Sequence, residues 1–230
     1  MHVYIRTNYY IDNWRLNRVA GVTALTPLPQ TRLRRRRGTT RSDTKELLLL
    51  FIVDREGPIG RYRLKDLLDL SDHEGFVRQM LVRLQRQGYL SVSRSGCVLT
   101  PPGKAFLEAR LASIGIAAIK RVDLHLLTVA AVTLGVRIPN KAHQIESAMS
   151  LRDLAVRGGA TGATILLFKE GALSIPSVHP DFLSAHPTLL KTLQDAFTLE
   201  ENDVIAVISA EDEWTGVEAA ITLAAILSGS

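Results

Sequence analysis

The chain holds a single cysteine, Cys97, in 230 residues, which excludes an intramolecular disulfide. That composition suits a reducing setting, and a cytoplasmic location is expected. No apolar run reaches the roughly 18 to 20 residues that a membrane-spanning helix needs. The longest candidate, Leu124 to Val136, has 13 residues and includes His125, so it reads as a buried strand or helix. The first residues lack an apolar stretch followed by a small-residue cleavage site, so no secretory signal is visible. The first 41 residues also lack lysine, and no serine precedes Ser42. The missing serine argues against a transit peptide, although the segment is arginine-rich and poor in acids.

What is present is unevenly distributed. Apolar residues make up 46% of the chain, enough for a sizeable core, and the net charge is +5. Residues 1–41 carry 9 arginines and 1 acid, a net +8. Residues 42–115 carry 11 bases and 9 acids, a net +2, and residues 116–230 carry 8 bases and 13 acids, a net −5. The basic character therefore comes from the N-terminal segment and does not by itself make the rest a nucleic-acid binder. Three segments are expected: a basic tail over 1–41, one domain over 42–115 and a second over 116–230. In the tail, Thr26-Pro27-Leu28-Pro29 resists helix, and Arg32 with Arg34 to Arg37 forms a self-repelling block. It reads as a disordered extension, as translated sequence upstream of the true start, or as an arm lying on phosphates.

From Asp43 the pattern is that of folded protein. Asp43 and Glu46 have the spacing of a capping box before Leu47 to Val53, which is apolar almost all round. Gly57-Pro58 ends that helix, and a second carries Leu64, Leu67 and Leu68. Ser71 and Glu74 have capping-box spacing for a third helix, whose Val77, Met80, Leu81 and Leu84 recur at helical spacing and are expected inside. Gly88 is suited to end it. Tyr89 to Ser93 alternates like a half-buried strand, Ser95-Gly96 turns, and Cys97 to Leu99 returns. Thr100 and Pro101 then read as N-cap and first residue of a helix carrying Phe106, Leu107, Leu111 and Ile114. Three helices, a hairpin and a closing helix are the order of a winged helix-turn-helix. The phrase Gly88-Tyr89-Leu90, a hairpin, then Leu99-Thr100-Pro101-Pro102-Gly103-Lys104 resembles many prokaryotic winged-helix regulators.

The second half alternates strands and helices. Leu124 to Val136 reads as a strand region, Ile145 to Arg157 as a helix, Ala163 to Phe168 and Ala172 to Ile175 as a hairpin, His186 to Phe197 as a helix, Asp203 to Ser209 as a buried strand, and Thr215 to Leu227 as a final helix. The expected fold class is α+β in two domains, the second an α/β-type domain with a mixed sheet. This half, with Arg152-Asp153-Leu154-Ala155-Val156-Arg157-Gly158-Gly159-Ala160-Thr161-Gly162-Ala163-Thr164 at its centre, is similar to an archaeal family that pairs a winged helix with a C-terminal domain of unknown function. The similarity spans about residues 43–227. It implies the architecture of a DNA-binding regulator and brings no ligand or catalytic residue with it.

With the third helix in a major groove, its outward face would present Gly75, Arg78, Gln79, Arg83 and Arg86. Arginine pairs with guanine and glutamine with adenine through two hydrogen bonds each, so Arg78 and Gln79 are the expected base readers. Arg83 and Arg86 are expected on phosphates, Arg94 at a minor groove beside the hairpin tip, and Arg61, Arg63 and Lys65 near the backbone. Each of these arginines can equally be a solvated surface charge. Asp72 and Glu74 suit the helix dipole but repel phosphates.

In the second half, Gly158-Gly159-Ala160-Thr161-Gly162 leads from a helix into a strand, the reverse of a phosphate-binding loop, and reads as a helix stop. Ser209, Glu211, Asp212, Thr215 and Gly216, between a strand's carboxyl end and a helix, are the candidate ligand residues, or a solvated acidic loop. His2, His73, His125, His143, His179 and His186 have no metal-site spacing, and no cofactor, metal or nucleophile motif is expected. The expectation is a regulator that binds double-stranded DNA as a homodimer. Its acidic half would supply dimerisation, sense a small-molecule effector, or both. The alternatives are an enzyme of unknown reaction in the second half and a winged helix used for protein contacts.

Overall fold

A computed structural model describes residues 41–176, 178, 183 and 185–229. The basic tail, His2 and His179 lie outside the described residues. Helix α1 (Arg41–Glu56) opens the fold and is buried on nearly every side from Leu47 to Val53. Asp43 lies inside its first turn rather than at its cap, because the helix begins two residues earlier. Helix α2 (Arg61–Leu67) buries Leu64, and helix α3 (Glu74–Arg86) buries the expected Val77, Met80, Leu81 and Leu84. His73 occupies the N-cap of α3 without a side-chain cap, so the Ser71–Glu74 box does not form; Glu74 turns to Arg61 instead, 3.0 Å away.

Gly88 follows α3 with φ of 78°, a left-handed turn that would strain any side chain. Strands β1 (Leu90–Ser93) and β2 (Gly96–Leu99) form an antiparallel hairpin, and Ile59 joins its edge through two backbone hydrogen bonds to Cys97. Only Leu90 of β1 is buried; Val92 is 45% exposed, because the hairpin projects beyond the core. Thr100 caps α4 (Pro101–Ser113) by accepting from the Gly103 amide, and its hydroxyl donates to the Gly88 carbonyl, tying the start of α4 to the end of α3. The stacked rings of Tyr89 and Phe106 reinforce that joint.

Five strands follow in the order β3 (Ala118–Arg121), β4 (Val132–Ile138), β7 (Val204–Ala210), β5 (Gly162–Lys169), β6 (Ala172–Ser174). Every pairing is antiparallel, so the mixed sheet expected from alternating strands and helices does not form. The reason is topological. Helix α5 (Ala148–Arg157) does carry β4 to β5 as a crossover would, but β7, arriving after α6 (Pro187–Ala196), inserts between them. The strand expected across Leu124 to Val136 begins only at Val132; Leu124 and Leu127 pack under α6 instead.

Both faces of the sheet are covered, and β7 is buried at all seven positions. Val204, Ala206 and Ile208 face α5 and the last helix, α7 (Glu213–Ser228), while Ile205 and Val207 face α6. The α5/α7 layer continues without a break into the residues packed around α1 and α3, so one core runs across the 115/116 boundary expected from the sequence. Lys45, 4% exposed, stands at that junction. Its ammonium donates to the Leu68 carbonyl at 2.6 Å and to Glu218 of α7 at 2.7 Å.

Candidate nucleic-acid interface

The inward quartet of α3 fixes the rotation of the helix, and the period then settles what faces out. Gly75, Arg78, Gln79, Val82, Arg83, Arg86 and Gln87 line one open face, all exposed. Arg78 and Arg86 are eight residues apart, about 12 Å along an α-helix, close to the roughly 12 Å width of a major groove. Among the described residues Arg78, Gln79 and Arg86 make no ion pair or side-chain hydrogen bond. Their donors are therefore free for a ligand.

Arg83 differs from its neighbours. It pairs with Glu46 of α1, whose carboxylate is largely buried. Arg61 is likewise engaged, with Glu74, and lies over the Tyr62 ring; Arg63 lies 3.8 Å from Glu56. The Arg61 pair offsets the charge of Glu74, which stays half exposed at the amino end of α3. Arg94 is exposed at the hairpin turn, which Ser93 closes by accepting from the Ser95 amide. The seven expected residues thus divide into three with free donors on or beside α3 and the hairpin tip (Arg78, Arg86, Arg94), three held in ion pairs (Arg61, Arg63, Arg83), and the neutral Gln79.

Two exposed residues escaped the sequence reading. Val82 sits centrally on the α3 face, 38% exposed, and Tyr62 is 63% exposed between Arg61 and Lys65. The signal for Val82 was available: positions 75, 78, 79, 82, 83 and 86 are one helical stripe.

The candidate ligand residues of the second half have local structural roles. Ser209 is buried, its hydroxyl accepting from the Val129 amide and donating to Leu127. Asp212 caps α7, accepting from the Trp214 and Thr215 amides and from the Thr215 hydroxyl. Glu211 accepts from Thr161 at 3.4 Å, and a side chain at Gly216 would meet Leu134. The structure brings Asp212 to Thr215 and Glu211 to Thr161; Ser209 points into a different loop. The glycine run does end α5. A Cβ at Gly158 would lie 2.9 Å from the Ala219 Cα, so that glycine lets α5 and α7 approach closely. Among the described residues no three His, Cys, Asp or Glu side chains are grouped to hold a metal, and no helix is long and apolar enough to cross a membrane.

Among the described residues, Arg137 and Asp203 form the most buried ion pair. The guanidinium Nε donates to Asp203 at 2.6 Å and a terminal nitrogen lies 3.2 Å from Glu200. Burial works against the arginine charge, but the hydrogen bond and charge of Asp203, with those of Glu200, outweigh it and hold its pKa above the ordinary value. Asp203 also accepts from the Glu200 and Asn140 amides, which identifies the pair as a clasp between the loop before β7 and the loop after β4.

Residues 129–227 match the family model described as a domain of unknown function, DUF4443. Among solved structures, a hypothetical protein from the archaeon Pyrococcus horikoshii is similar to this chain, with a TM-score of 0.59 and 23% identity over 80% of this chain and 91% of that one. That likeness is one of fold. No curated protein matches.

Proposed function

We propose that residues 41–114 form a winged helix that binds double-stranded DNA, with α3 in the major groove and the β1–β2 hairpin against the adjacent backbone. The observation that carries this reading is the division of α3. One side is sealed into the core by Val77, Met80, Leu81 and Leu84, and the other offers Arg78, Gln79 and Arg86 with free donors at groove spacing. Arg94 at the hairpin turn and Tyr62 at the start of α2 flank that face, as phosphate contacts would. The net −5 of residues 116–230 keeps the second half off the polyanion, which suits a role in dimerisation or effector sensing. The protein is then a transcriptional regulator in which Arg78 and Gln79 specify sequence and Arg86 and Arg94 position the protein.

The test is selection of binding sites from a random-sequence duplex library by the full chain carrying alanine at Arg34, Arg35, Arg36 and Arg37, which quiets the basic tail. A defined motif is expected, relaxed at one base pair by Arg78→Ala. Recovery of no motif above background would overturn the reading.

A further inference from the structure

Val82 is the one apolar side chain on an otherwise polar face. The other apolar residues of α3 that recur at this spacing, Val77, Met80, Leu81 and Leu84, are buried at 0–7% exposure, whereas Val82 is 38% exposed. Arg78 and Gln79 stand one turn before it and Arg86 one turn after. A valine has weaker helix propensity than the lysine or glutamine a solvated position would favour, and here it is not one of the core residues. Gly75, two turns earlier on the same stripe, has nothing within 4 Å of where its Cβ would stand, so that position of the stripe carries no bulk. A short branched side chain flanked by longer arginines meets whatever projects farthest from the floor of the groove. In duplex DNA the apolar group that does so is the pyrimidine 5-methyl.

We propose that Val82 contacts the 5-methyl group of a pyrimidine, thymine in ordinary DNA, and so makes this protein select a T·A pair next to the pair read by Arg78. The inference rests on the DNA-binding reading above. It adds a specificity element that works through methyl burial instead of hydrogen bonding.

The probe is the duplex selected by the full chain, with each thymine replaced singly by deoxyuridine. This removes one methyl group and leaves every phosphate in place, so the arginine-rich tail contributes equally to all duplexes. Loss of one buried methyl corresponds to about a fourfold weakening. That loss is expected at one thymine of the recognised sequence for the wild type and for Val82→Ile, and is expected to vanish in Val82→Ser, whose melting temperature should match the wild type. Placing 5-methylcytosine at the same position is expected to restore the lost binding relative to cytosine, which separates the methyl from the rest of the base. Sensitivity to no thymine methyl, or the same sensitivity in Val82→Ser, would overturn the contact while the DNA-binding reading stands. Failure of the wild type to bind any duplex would overturn both.

Discussion

Lys45 and Glu218 meet 2.7 Å apart, joining α1 of the first half to α7 of the second inside one continuous core. The lysine is 4% exposed and its remaining contact is the Leu68 carbonyl, so removing the carboxylate strands a buried ammonium. Glu218, with 23% side-chain exposure, retains some access to water, which lowers the cost. Glu218→Ala is expected to lose about 2 kcal/mol in urea unfolding, and Lys45→Met, which keeps the stem and removes the charge, less. Equal and negligible losses would show that the pair does not hold the halves together.

The same core predicts how the molecule unfolds. Two domains packed through a small polar contact melt separately; halves that share a hydrophobic core melt together. Calorimetry on the full chain is expected to show one transition with matching calorimetric and van't Hoff enthalpies. Two resolved transitions would contradict the packing around α1 and α7.

Asp203 is expected to be among the least replaceable polar residues. It is 1% exposed and accepts from Arg137, Glu200 and Asn140. Asp203→Ala leaves the Arg137 charge without its buried partner and should cost about 3–5 kcal/mol. A loss under about 1 kcal/mol would rule out the clasp.

Cys97 is buried between β1 and Ile59, and burial pushes its thiol pKa up. At neutral pH it is therefore the unreactive thiol. Alkylation by iodoacetamide should be roughly a hundredfold slower in the folded protein than in urea. The unfolded thiol ionises first, so this group binds fewer protons in the unfolded state as pH rises through the ordinary thiol range. Its contribution to stability should fall with rising pH there. Folded-state alkylation as fast as in urea would contradict the burial.

How much of this was legible in the residues varies with how local the signal is. The inward quartet of α3, the Gly88 stop and the Thr100 cap are each settled within a few positions, and the structure places them as the spacing predicts. The sheet was less legible. Nothing local to Val204–Ala210 says that it will pair with both Val132–Ile138 and Gly162–Lys169. That pairing turns an expected mixed sheet into an antiparallel one. Of the candidate interface, Arg78, Gln79, Arg86 and Arg94 could be picked from the stripe and the turn, but the engagement of Arg83 by Glu46 could not, since it depends on how α1 packs against α3. Lys45 carried a usable sign: a lysine opening a helix that is apolar all round has few places to put its charge.

The measurement that bears most directly on the account is fluorescence anisotropy of a duplex against salt concentration, using the full chain with alanine at Arg34 to Arg37. Variants Arg78→Ala and Arg86→Ala on α3 are compared with Arg152→Ala and Lys191→Ala in the acidic half. The account predicts binding that weakens with salt. It predicts that Arg86→Ala lowers the logarithmic salt slope by about one, that Arg78→Ala weakens binding about tenfold, and that the two acidic-half variants change nothing. Binding lost equally in all four variants, or no salt-dependent binding at all, would contradict the assignment of α3 as the face that meets DNA.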